Sequence, residues 1–370
     1  MLSIFIPQET LENIVIDNMA SSVKLEDQDA WYRIFIKQKV IYVSSWKEKE
    51  YDAEEDPLLI LSNSYQVEIR YDETEYIESI HNNHELVTKY WNGIFLLDIT
   101  EEEADDIQRD YGVICQSIHH LDASVLMDEG LRFSPVENDK RYSWYTILDG
   151  INAEHIPSNH LILIDRYLFA NANELETTLD NIFFIMDAML PLHELKCSYK
   201  VTIFYGEQSD GGGVGLSDAA AKVYKIIDGL SRPYTIHVEV ICLSRHSDLY
   251  KPFHNRKILT NYTITQLEYR LNAFDEKGLS TCQQTIQPQS LFTKSSLYRD
   301  IDSPYKTHHD IMSAIYENFI WWVKNYLSPK STYAFDGQRM FVNKRYRITT
   351  IHKNEYLIDL NLSKTIWKKR

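Results

Sequence analysis

The amino-acid sequence predicts an α/β protein of two domains, and three observations lead to this prediction. The chain has 370 residues, more than one hydrophobic core usually holds. Segments with strand and helix patterns alternate along it, and its charge changes sign between the two halves. Residues 1–150 hold 12 Lys and Arg against 31 Asp and Glu, a net charge of −19, whereas residues 151–370 hold 26 against 23, a net charge of +3. We therefore expect an acidic α/β domain at 1–150 and a second domain at 151–370.

The first domain opens with a strand and a helix. The segment IFI at 4–6 is β-rich, and apolar residues at 11, 14, 15 and 19 recur with helical spacing, so a helix is predicted over 8–19. The segment WYRIFIKQKVIYV at 31–43 is rich in β-branched and aromatic residues, which predicts two short strands or one bent strand. The acidic stretch 47–57 predicts a solvated loop.

A buried strand followed by a capped helix comes next. The segment GIFLLDIT at 93–100 predicts a short buried strand. Thr100 and Glu103 have the spacing of a capping box, and Gly112 is a natural helix end, so a helix is predicted between them. The patterns weaken over 130–158, where we place the domain boundary.

Strands and helices alternate regularly in the second domain. This alternation predicts a mixed, largely parallel sheet with helices on both faces. The basic C-terminal tail predicts a β-hairpin or strand pair that turns at Lys353 and Asn354. The predicted strands are 160–169, 197–206, 234–244 and 253–264, and the predicted helices are 173–190, 217–230 with Ser217 as its cap, and 309–327.

The composition is that of a folded protein with no membrane-spanning segment. The chain is 44% hydrophobic and 25% charged, and no apolar run approaches about 18 residues. The N-terminus has no basic region before its short apolar run, so we expect no signal peptide, a cytoplasmic location and no membrane partner. The four cysteines stand far apart and form no CxxC pair, which favours free thiols and predicts no metal site and no cofactor.

The segment FHNRKILTNYTI at 253–264 carries the strongest candidate for a functional site. If it is one strand, His254 and Arg256 point to the same face. An imidazole beside a guanidinium suits a phosphate, because arginine presents a planar fork of donors to phosphate oxygens. The alternative is a strand histidine whose partners lie inside the protein.

These residues resemble the motif of the phospholipase D-like superfamily. That family carries H-x-K-x4-D, in which the histidine attacks phosphorus, the lysine binds phosphate and the aspartate supports them. His254, Arg256 and Asn261 fit the same spacing as H-x-R-x4-N. The upstream strand with Asp165 and Arg166 resembles the opening strand of non-catalytic members, such as the domain at the C-terminus of MIT-domain proteins. The resemblance spans roughly 158–300 and implies a phospholipase D-like fold with a phosphate site.

The sequence departs from the family pattern in three ways. Catalysis in that family requires two motifs that face each other, and no second motif occurs upstream in this chain. Arg256 replaces a lysine, and the neutral Asn261 replaces the aspartate. The first hypothesis is therefore a phosphate-binding module with nucleic acid as its ligand. The other two are a phosphodiesterase or nuclease, in which a homodimer brings two His254 side chains together, and a scaffold with neither activity.

Other features give weaker indications of function. The basic tail with Arg345 and Arg347, together with the 25 tyrosines, suggests phosphate and stacking contacts with single-stranded nucleic acid. The acidic N-terminal domain suggests a protein partner or a regulatory role. The glycine-rich loop 207–218 is interpreted as a flexible connection, and the helix start that follows it could face a phosphate.

Asp98 ends a predicted strand, a position where metal-dependent nucleases often hold a carboxylate. Acidic residues at a helix start also stabilise the helix dipole, and we interpret the acidic run after Asp98 in this way. Three histidine pairs have no cysteine or carboxylate at ligand spacing and are interpreted as surface residues. They are His81 and His84, His119 and His120, and His308 and His309.

Overall fold

The chain divides into two compact units. The computed structural model describes residues 2–20, 26–44, 56–72, 74–123, 126, 134–137, 140–208, 213–243, 245, 252–293, 303–326, 334–335, 338–342 and 346–350. Unit 1 consists of Met1–Glu129 and Ser290–Lys306, and unit 2 consists of Gly130–Gln289 and Thr307–Arg370. No sequence pattern indicated that Ser290–Lys306 belongs with the N-terminal residues.

Unit 1 contains a five-stranded parallel sheet. Its strands follow the order β3-β2-β1-β4-β5, and each pairs in parallel with its neighbours. In open parallel sheets of this kind the strand order reverses at one point, here between β1 and β4, and ligands usually bind at the carboxyl ends of the strands near that point. The strands are β1 (Ser3–Pro7), β2 (Val40–Ser44), β3 (Glu68–Tyr71), β4 (Gly93–Leu97) and β5 (Ile114–Ser117).

The helices of unit 1 confirm one sequence prediction and correct another. The predicted helix at 8–19 is present, but the predicted strand over the first half of 31–43 is wrong, because these residues are helical. Trp31, Ile34 and Phe35 are buried at helical spacing, so packing on one helix face overrides their β propensity. The helices are α1 (Gln8–Ala20), α2 (Glu26–Ile36), α3 (Pro57–Tyr65), α4 (Tyr76–Ser79), a 3₁₀ helix (His84–Tyr90) and α5 (Glu101–Tyr111).

Helix α5 begins and ends where its capping residues predict. The Thr100 side chain accepts a hydrogen bond from the Glu103 backbone N–H, and the Glu103 carboxylate accepts one from the Thr100 backbone N–H, which completes the capping box. Gly112 ends the helix with a left-handed φ of 61°, a conformation that favours glycine.

The core of unit 1 includes a layer of aromatic rings across the sheet. Phe5 lies at its centre and stacks on Tyr42 and on Phe95, with ring centroids 4.9 Å apart in each pair. Tyr76 and Tyr90 contact Phe5 with tilted or edge-on rings. Offset and edge-on aromatic pairs add stabilisation beyond the apolar area that they bury.

Unit 2 contains a ten-stranded mixed sheet in the order β13-β14-β15-β9-β8-β7-β10-β11-β12-β6. The α/β prediction is confirmed, but the prediction of a largely parallel sheet is wrong. Only β7, β8 and β9 form a parallel group, and antiparallel strands flank it on both sides. The strands are β6 (Ser134–Val136), β7 (His160–Ile164), β8 (Tyr199–Gly206), β9 (Ile236–Leu243), β10 (Arg256–Thr260), β11 (Thr263–Leu267), β12 (Gln284–Ser290), β13 (Ala334–Phe335), β14 (Gln338–Val342) and β15 (Tyr346–Thr350).

Three of the described helices of unit 2 occur where the sequence predicts them, and the short helix at Trp144–Leu148 was not predicted. Helices α7 and α8 connect strands that advance in one direction across the sheet, so right-handed crossovers place both on the same face. The predicted cap at Ser217 is wrong, because Gly215 is the residue that precedes α8 and Ser217 lies in its first turn. The helices are α6 (Trp144–Leu148), α7 (Leu175–Met189), α8 (Leu216–Gly229) and α9 (Pro304–Tyr326), whose first three residues belong to unit 1, with 3₁₀ helices at Ala172–Glu174 and Pro252–His254.

One predicted strand of unit 2 is a hairpin, and the hairpin of the tail turns at a different place from the one predicted. The segment 253–264, predicted as one strand, forms part of a 3₁₀ helix, then β10, a turn and the start of β11, which is antiparallel to β10. In the C-terminal tail, β14 and β15 pair across residues 343–345. The turn predicted at 353–354 lies outside the described residues.

Within the part of the chain that the structure describes, no helix is both long and apolar enough to cross a membrane. The four cysteines form no disulfide, as predicted. Cys115 and Cys242 are buried, and Cys197 and Cys282 are half-buried.

Candidate functional site

The candidate site lies at the carboxyl end of β7, beside the first residue of β10. The two strands are antiparallel, and Lys257 pairs with Ile164, so Arg256 begins its strand next to Asp165, which follows the last residue of β7. The Arg256 Nε atom is 3.6 Å from Asp165 Oδ1. Strands β8 and β9 run parallel to β7, so the loops that follow all three strands share this edge of the sheet.

Three basic side chains surround Tyr167. The guanidinium carbons of Arg166 and Arg256 lie 4.8 Å and 5.3 Å from the Tyr167 ring centroid, and the His254 ring stands edge-on at 6.2 Å. Arg166 also donates a hydrogen bond to the Tyr167 hydroxyl. Tyr167 is 40% exposed, so the group opens to solvent. We name Arg166, Tyr167, His254 and Arg256 the Tyr167 cluster.

The Arg256 guanidinium has N–H donors that form no hydrogen bond with any described residue. A guanidinium carries five N–H donors, yet no described residue accepts a hydrogen bond from Arg256, not even from its buried Nε. Among the described residues, the guanidinium forms an ion pair with Asp165 at 3.6 Å and a cation–π contact with the Tyr167 ring. The side chain is only 13% exposed, so water reaches little of it. A buried donor in this state can donate hydrogen bonds to the oxygens of an anion.

Asp165 positions the cluster from beneath. It is buried, and its two carboxylate oxygens accept hydrogen bonds from the backbone N–H of Tyr167 at 2.8 Å and of Leu271 at 3.1 Å. Burial raises the pKa of Asp165, against the opposing effect of these hydrogen bonds and of Arg256. Asp165 was predicted as a binding residue, and its place is inside the protein, where it fixes two loops.

His254 does not share a strand face with Arg256, so this prediction is wrong. It ends the 3₁₀ helix before β10 and is exposed. Its contact among the described residues is with the Tyr167 ring, and no described carboxylate pairs with it. A nucleophilic or basic histidine requires a group that orients the imidazole. The structure brings His254 to the Tyr167 cluster as a further donor and supplies no such group.

Asn261 lies at the far end of β10 and inside the core. It is fully buried, its side-chain oxygen accepts hydrogen bonds from the backbone N–H of Asn159 and His160, both at 3.1 Å, and its amide donates to Asn159 Oδ1 at 2.9 Å. Five residues of strand separate it from Arg256, a distance of about 16 Å. The motif therefore has Arg256 at the open edge of the sheet and Asn261 in a buried turn, where a ligand has no access to it.

Of the two predicted basic residues of the tail, the structure describes the backbone position of Arg347. Arg345 lies outside the described residues. Arg347 lies on β15 opposite Cys242 of β9. The sheet order places β15 four strands from β10, a separation of about 19 Å.

The glycine-rich loop after β8 borders the cluster. Gln208 donates a hydrogen bond to the Arg166 carbonyl at 3.2 Å, and the Val214 N–H donates to the Phe169 carbonyl at 2.9 Å. A Cβ atom on Gly213 would lie 3.0 Å from that same carbonyl, so glycine permits the close approach. The described ends of this loop are thus fixed against the segment that carries Tyr167, and residues 209–212 lie outside the described ranges.

Sequence reasoning missed two features near the cluster. Lys257 is buried beside Arg256, and burial lowers its pKa to about 8; its Nζ atom lies 3.5 Å from the Asn255 carbonyl. On the loop after β11, the Arg270 guanidinium carbon lies 5.4 Å from the centroid of the neighbouring Tyr269 ring. The adjacency of arginine and tyrosine at 166–167 and 269–270 is a weak signal in the sequence, because it also occurs at 32–33, 70–71, 141–142, 298–299 and 345–347.

The acidic and histidine residues of unit 1 form pairs at the carboxyl edge of its sheet. His119 Nε2 is 2.8 Å from Asp98 Oδ1, and His120 is 3.9 Å from Glu101. Within the ranges described, no three histidine, cysteine or acidic side chains are arranged to hold a metal ion. In unit 2 the surface interpretation of His308 is wrong: it is buried, hydrogen-bonded to the Thr260 carbonyl at 2.9 Å, and burial lowers its pKa to about 4.

Comparisons with known proteins do not assign a family. No protein-family model matches the sequence, and no curated protein matches it. Among solved structures, the crystal structure of Aa-Ago with externally bound siRNA aligns at 9% sequence identity and covers 84% of this chain and 43% of that chain. This chain therefore spans less than half the length of that one. The TM-score is 0.14, too low to carry an argument about fold.

Proposed function

We propose that this protein is a binding module that recognises the phosphates of a nucleic acid through the Tyr167 cluster. The observation that carries the proposal is the Arg256 guanidinium, which is 13% exposed and donates no hydrogen bond to a described residue. Arg166 and His254 lie around the same exposed ring. Phosphate oxygens accept charge-assisted hydrogen bonds from such a fork of donors, and Asp165 holds the fork in place before the ligand arrives.

The arrangement supports binding better than catalysis. A phospholipase D-type reaction needs a second motif and an acid that orients the nucleophilic histidine. No described carboxylate pairs with His254, and Asn261 is neutral and about 16 Å from Arg256. A dimeric phosphodiesterase requires two copies of this chain that place their His254 side chains together. The contacts within one chain neither require nor supply that arrangement.

The acidic first half is part of the proposal as a separate domain with a regulatory or protein-binding role. Residues 1–150 carry a net charge of −19, which repels nucleic acid. The division into an acidic domain at 1–150 and a phospholipase D-like domain at 151–370 belongs to the proposal in the same way. Under this proposal nucleic acid binds through the basic cluster of unit 2 and not through unit 1.

Arg256→Ala tests the proposal. We expect single-stranded DNA at about 50 mM salt to bind the variant more weakly by about 1.5–3 kcal/mol, the usual contribution of hydrogen bonds to charged groups. Arg256→Lys should recover part of the loss, because lysine keeps the charge but not the fork. The measurement is the fluorescence anisotropy of a labelled 20-nucleotide strand, with a thermal melt of each variant.

Arg70→Ala is the matched control, since Arg70 is an exposed arginine of unit 1 that pairs with Glu68 at 2.7 Å. It should bind like the native protein. If Arg256→Ala binds as tightly as the native protein, or if the native protein binds no nucleic acid at low salt, the proposal is wrong. Hydrolysis of bis(p-nitrophenyl) phosphate that is lost in His254→Ala would favour the phosphodiesterase hypothesis instead.

A further inference from the structure

A second tyrosine and arginine pair lies on the loop that follows β11. Tyr269 is 55% exposed, the largest exposed fraction among the described tyrosines. The Arg270 guanidinium lies 5.4 Å from the Tyr269 ring centroid and pairs with Glu174 at 3.1 Å. This pair repeats the chemistry of Arg166 and Tyr167, an open aromatic ring beside a guanidinium.

The same buried carboxylate holds both pairs. Asp165 Oδ1 accepts a hydrogen bond from the Tyr167 N–H, and Oδ2 accepts one from the Leu271 N–H. The backbones that carry Tyr167 and Arg270 are therefore separated by no more than one carboxylate and two hydrogen bonds. The two exposed rings belong to neighbouring loops on one edge of unit 2.

The backbone at Tyr269 is fixed, although its ring is open. The buried Gln284 side chain accepts hydrogen bonds from the N–H groups of Tyr269 at 3.2 Å and Arg270 at 3.1 Å, and it donates to the Arg270 carbonyl at 3.1 Å. An exposed aromatic side chain on a fixed backbone loses little conformational entropy when a ligand stacks on it. A large apolar ring held open to solvent in this way is a prepared contact surface.

The charges differ between the two pairs. Glu174 balances the charge of Arg270. The Tyr167 cluster has two arginines, of which Arg256 has unfilled donors, so it holds the positive charge that a phosphate requires. Tyr269 thus offers mainly a stacking surface, whereas the arginines around Tyr167 offer the positive charge that binds a phosphate. Proteins that bind single strands combine these two elements, a stacked base and a neighbouring phosphate contact.

We propose that Tyr269 and Arg270 form a second subsite, at which a base stacks next to the phosphate bound at the Tyr167 cluster. The ligand is then single-stranded nucleic acid, because a duplex keeps its base faces covered. It has at least two nucleotides, because in this proposal the stacked base belongs to the nucleotide next to the one whose phosphate is bound. This inference rests on the proposed function and adds to it the strandedness and the minimum length of the ligand.

The test separates the two subsites by ligand length. A fluorescein-labelled strand of eight thymidylates is bound to the full-length protein and displaced by thymidine 5′-monophosphate or by unlabelled strands of two, four and eight nucleotides. We expect Tyr269→Ala to weaken the octamer about 5- to 150-fold, the effect of one lost base stack. The same variant should bind the mononucleotide like the native protein, and Tyr269→Phe should bind the octamer like the native protein.

Two control variants make the result specific. Tyr224→Ala removes another exposed tyrosine of unit 2, on α8, and should leave every affinity unchanged. Arg256→Ala should weaken the mononucleotide and the octamer together. If Arg256→Ala weakens both while Tyr269→Ala weakens neither, the second subsite is wrong and the phosphate site stands. If Arg256→Ala weakens neither ligand, the phosphate site itself is wrong.

The remaining outcomes also decide the question. An equal loss of mononucleotide and octamer in Tyr269→Ala would mean that Tyr269 acts through the fold, which contradicts the inference. Tighter binding of an eight-base-pair duplex, or of a phosphotyrosine peptide, than of the single strand would also overturn it. The inference is supported if the native protein and the control variants bind the octamer more tightly than the mononucleotide and Tyr269→Ala alone loses this difference.

Discussion

The carboxyl edges of the two sheets differ in charge and in how that charge is matched. At the edge of unit 1, Asp98 pairs with His119 at 2.8 Å and Glu101 lies 3.9 Å from His120. At the corresponding edge of the parallel strands in unit 2, Arg166 and Arg256 surround an exposed tyrosine. Both edges are places where α/β sheets bind ligands. The fold supplies the location, and the side chains decide which ligand charge it can accept.

The more useful difference is in the partners of those charges. In each charged pair at this edge of unit 1, the two side chains contact each other and are exposed to water. In unit 2, Asp165 is used by two backbone N–H groups, and Arg256 reaches it only at 3.6 Å. Unit 2 therefore has a cation, Arg256, whose N–H donors form no hydrogen bond with a described residue. The four paired residues of unit 1 include no such cation.

Acid should destabilise unit 2 more than unit 1. Burial lowers the pKa of His160 to about 3 and of His308 to about 4, whereas the unfolded chain titrates at the ordinary value near 6.5. Between these values the unfolded state binds more protons, so stability is complete above pH 6.5 and is lost as the pH falls. We expect a loss of about 1.4 kcal/mol per pH unit for each histidine. Hydrogen exchange from pH 7.5 to 5, read separately for peptides of each unit, measures it.

His308→Gln is the control for this prediction, because glutamine keeps a donor for the Thr260 carbonyl but does not titrate. It should lower the pH dependence of unit 2 by about one histidine's share, 1.4 kcal/mol per pH unit. Equal pH dependence of exchange in the two units would contradict the assignment of buried neutral histidines to unit 2.

Asn261→Ala should unfold the protein more easily without touching the binding site. The change leaves the buried N–H groups of Asn159 and His160 without an acceptor, at a cost of about 2–5 kcal/mol. Urea unfolding gives the change, and the folded fraction should keep its affinity for a single strand. Asn82→Ala, at an exposed turn of unit 1, is the matched control and should stay within about 0.5 kcal/mol of the native protein.

Asn261→Asp extends this test to the family motif, since it restores the aspartate. We expect no phosphodiesterase activity from it, alone or with Arg256→Lys, because the carboxylate lies about 16 Å from the cluster. Hydrolysis by either variant would contradict the placement of Asn261 as a core residue.

Local signals predicted the regular elements well. The capping box at Thr100 and the glycine at 112 set both ends of α5, and the alternation after residue 158 gave the parallel strands and helices of unit 2. The failures have two physical causes. Trp31–Ile36 has strand-forming residues that pack on one face of a helix. The segment 253–264 is a hairpin whose turn, Asn261 and Tyr262, contains no glycine to mark it.

The candidate site was predicted in part, and the reason lies in which contacts are local. Arg166, His254 and Arg256 were identified from their chemistry, and the antiparallel pairing of β10 with β7 brings them together. The spacing of Asn261 matched the motif, but an extended strand places residues five positions apart about 16 Å from each other. Tyr269 and Arg270 were missed because Asp165 joins their loop to β7 across 106 positions of the chain, which no local pattern reveals.

Arg166→Ala should lower both affinity and its dependence on salt. Each phosphate contact contributes about one unit to the slope of log affinity against log salt concentration, so the slope should fall by about 1. Anisotropy titrations from 50 to 300 mM salt measure it, with Arg70→Ala as the control that keeps the native slope. An unchanged slope would mean that Arg166 supports the Tyr167 ring and makes no contact with phosphate.

The smallest effect is expected at the edge of unit 1, for the ion pair of His119 and Asp98. Both side chains are more than half exposed, at 69% and 64%, so water and salt screen their attraction. A double-mutant cycle of His119→Ala and Asp98→Ala, followed by urea unfolding at pH 6, should give a coupling energy below about 0.5 kcal/mol. The same cycle on Arg256 and Asp165 should give a larger coupling, because that pair is shielded from water. A coupling above about 1 kcal/mol at the exposed pair would mean that unit 1 holds an organised histidine–carboxylate site, and the contrast between the two edges would then be one of charge alone.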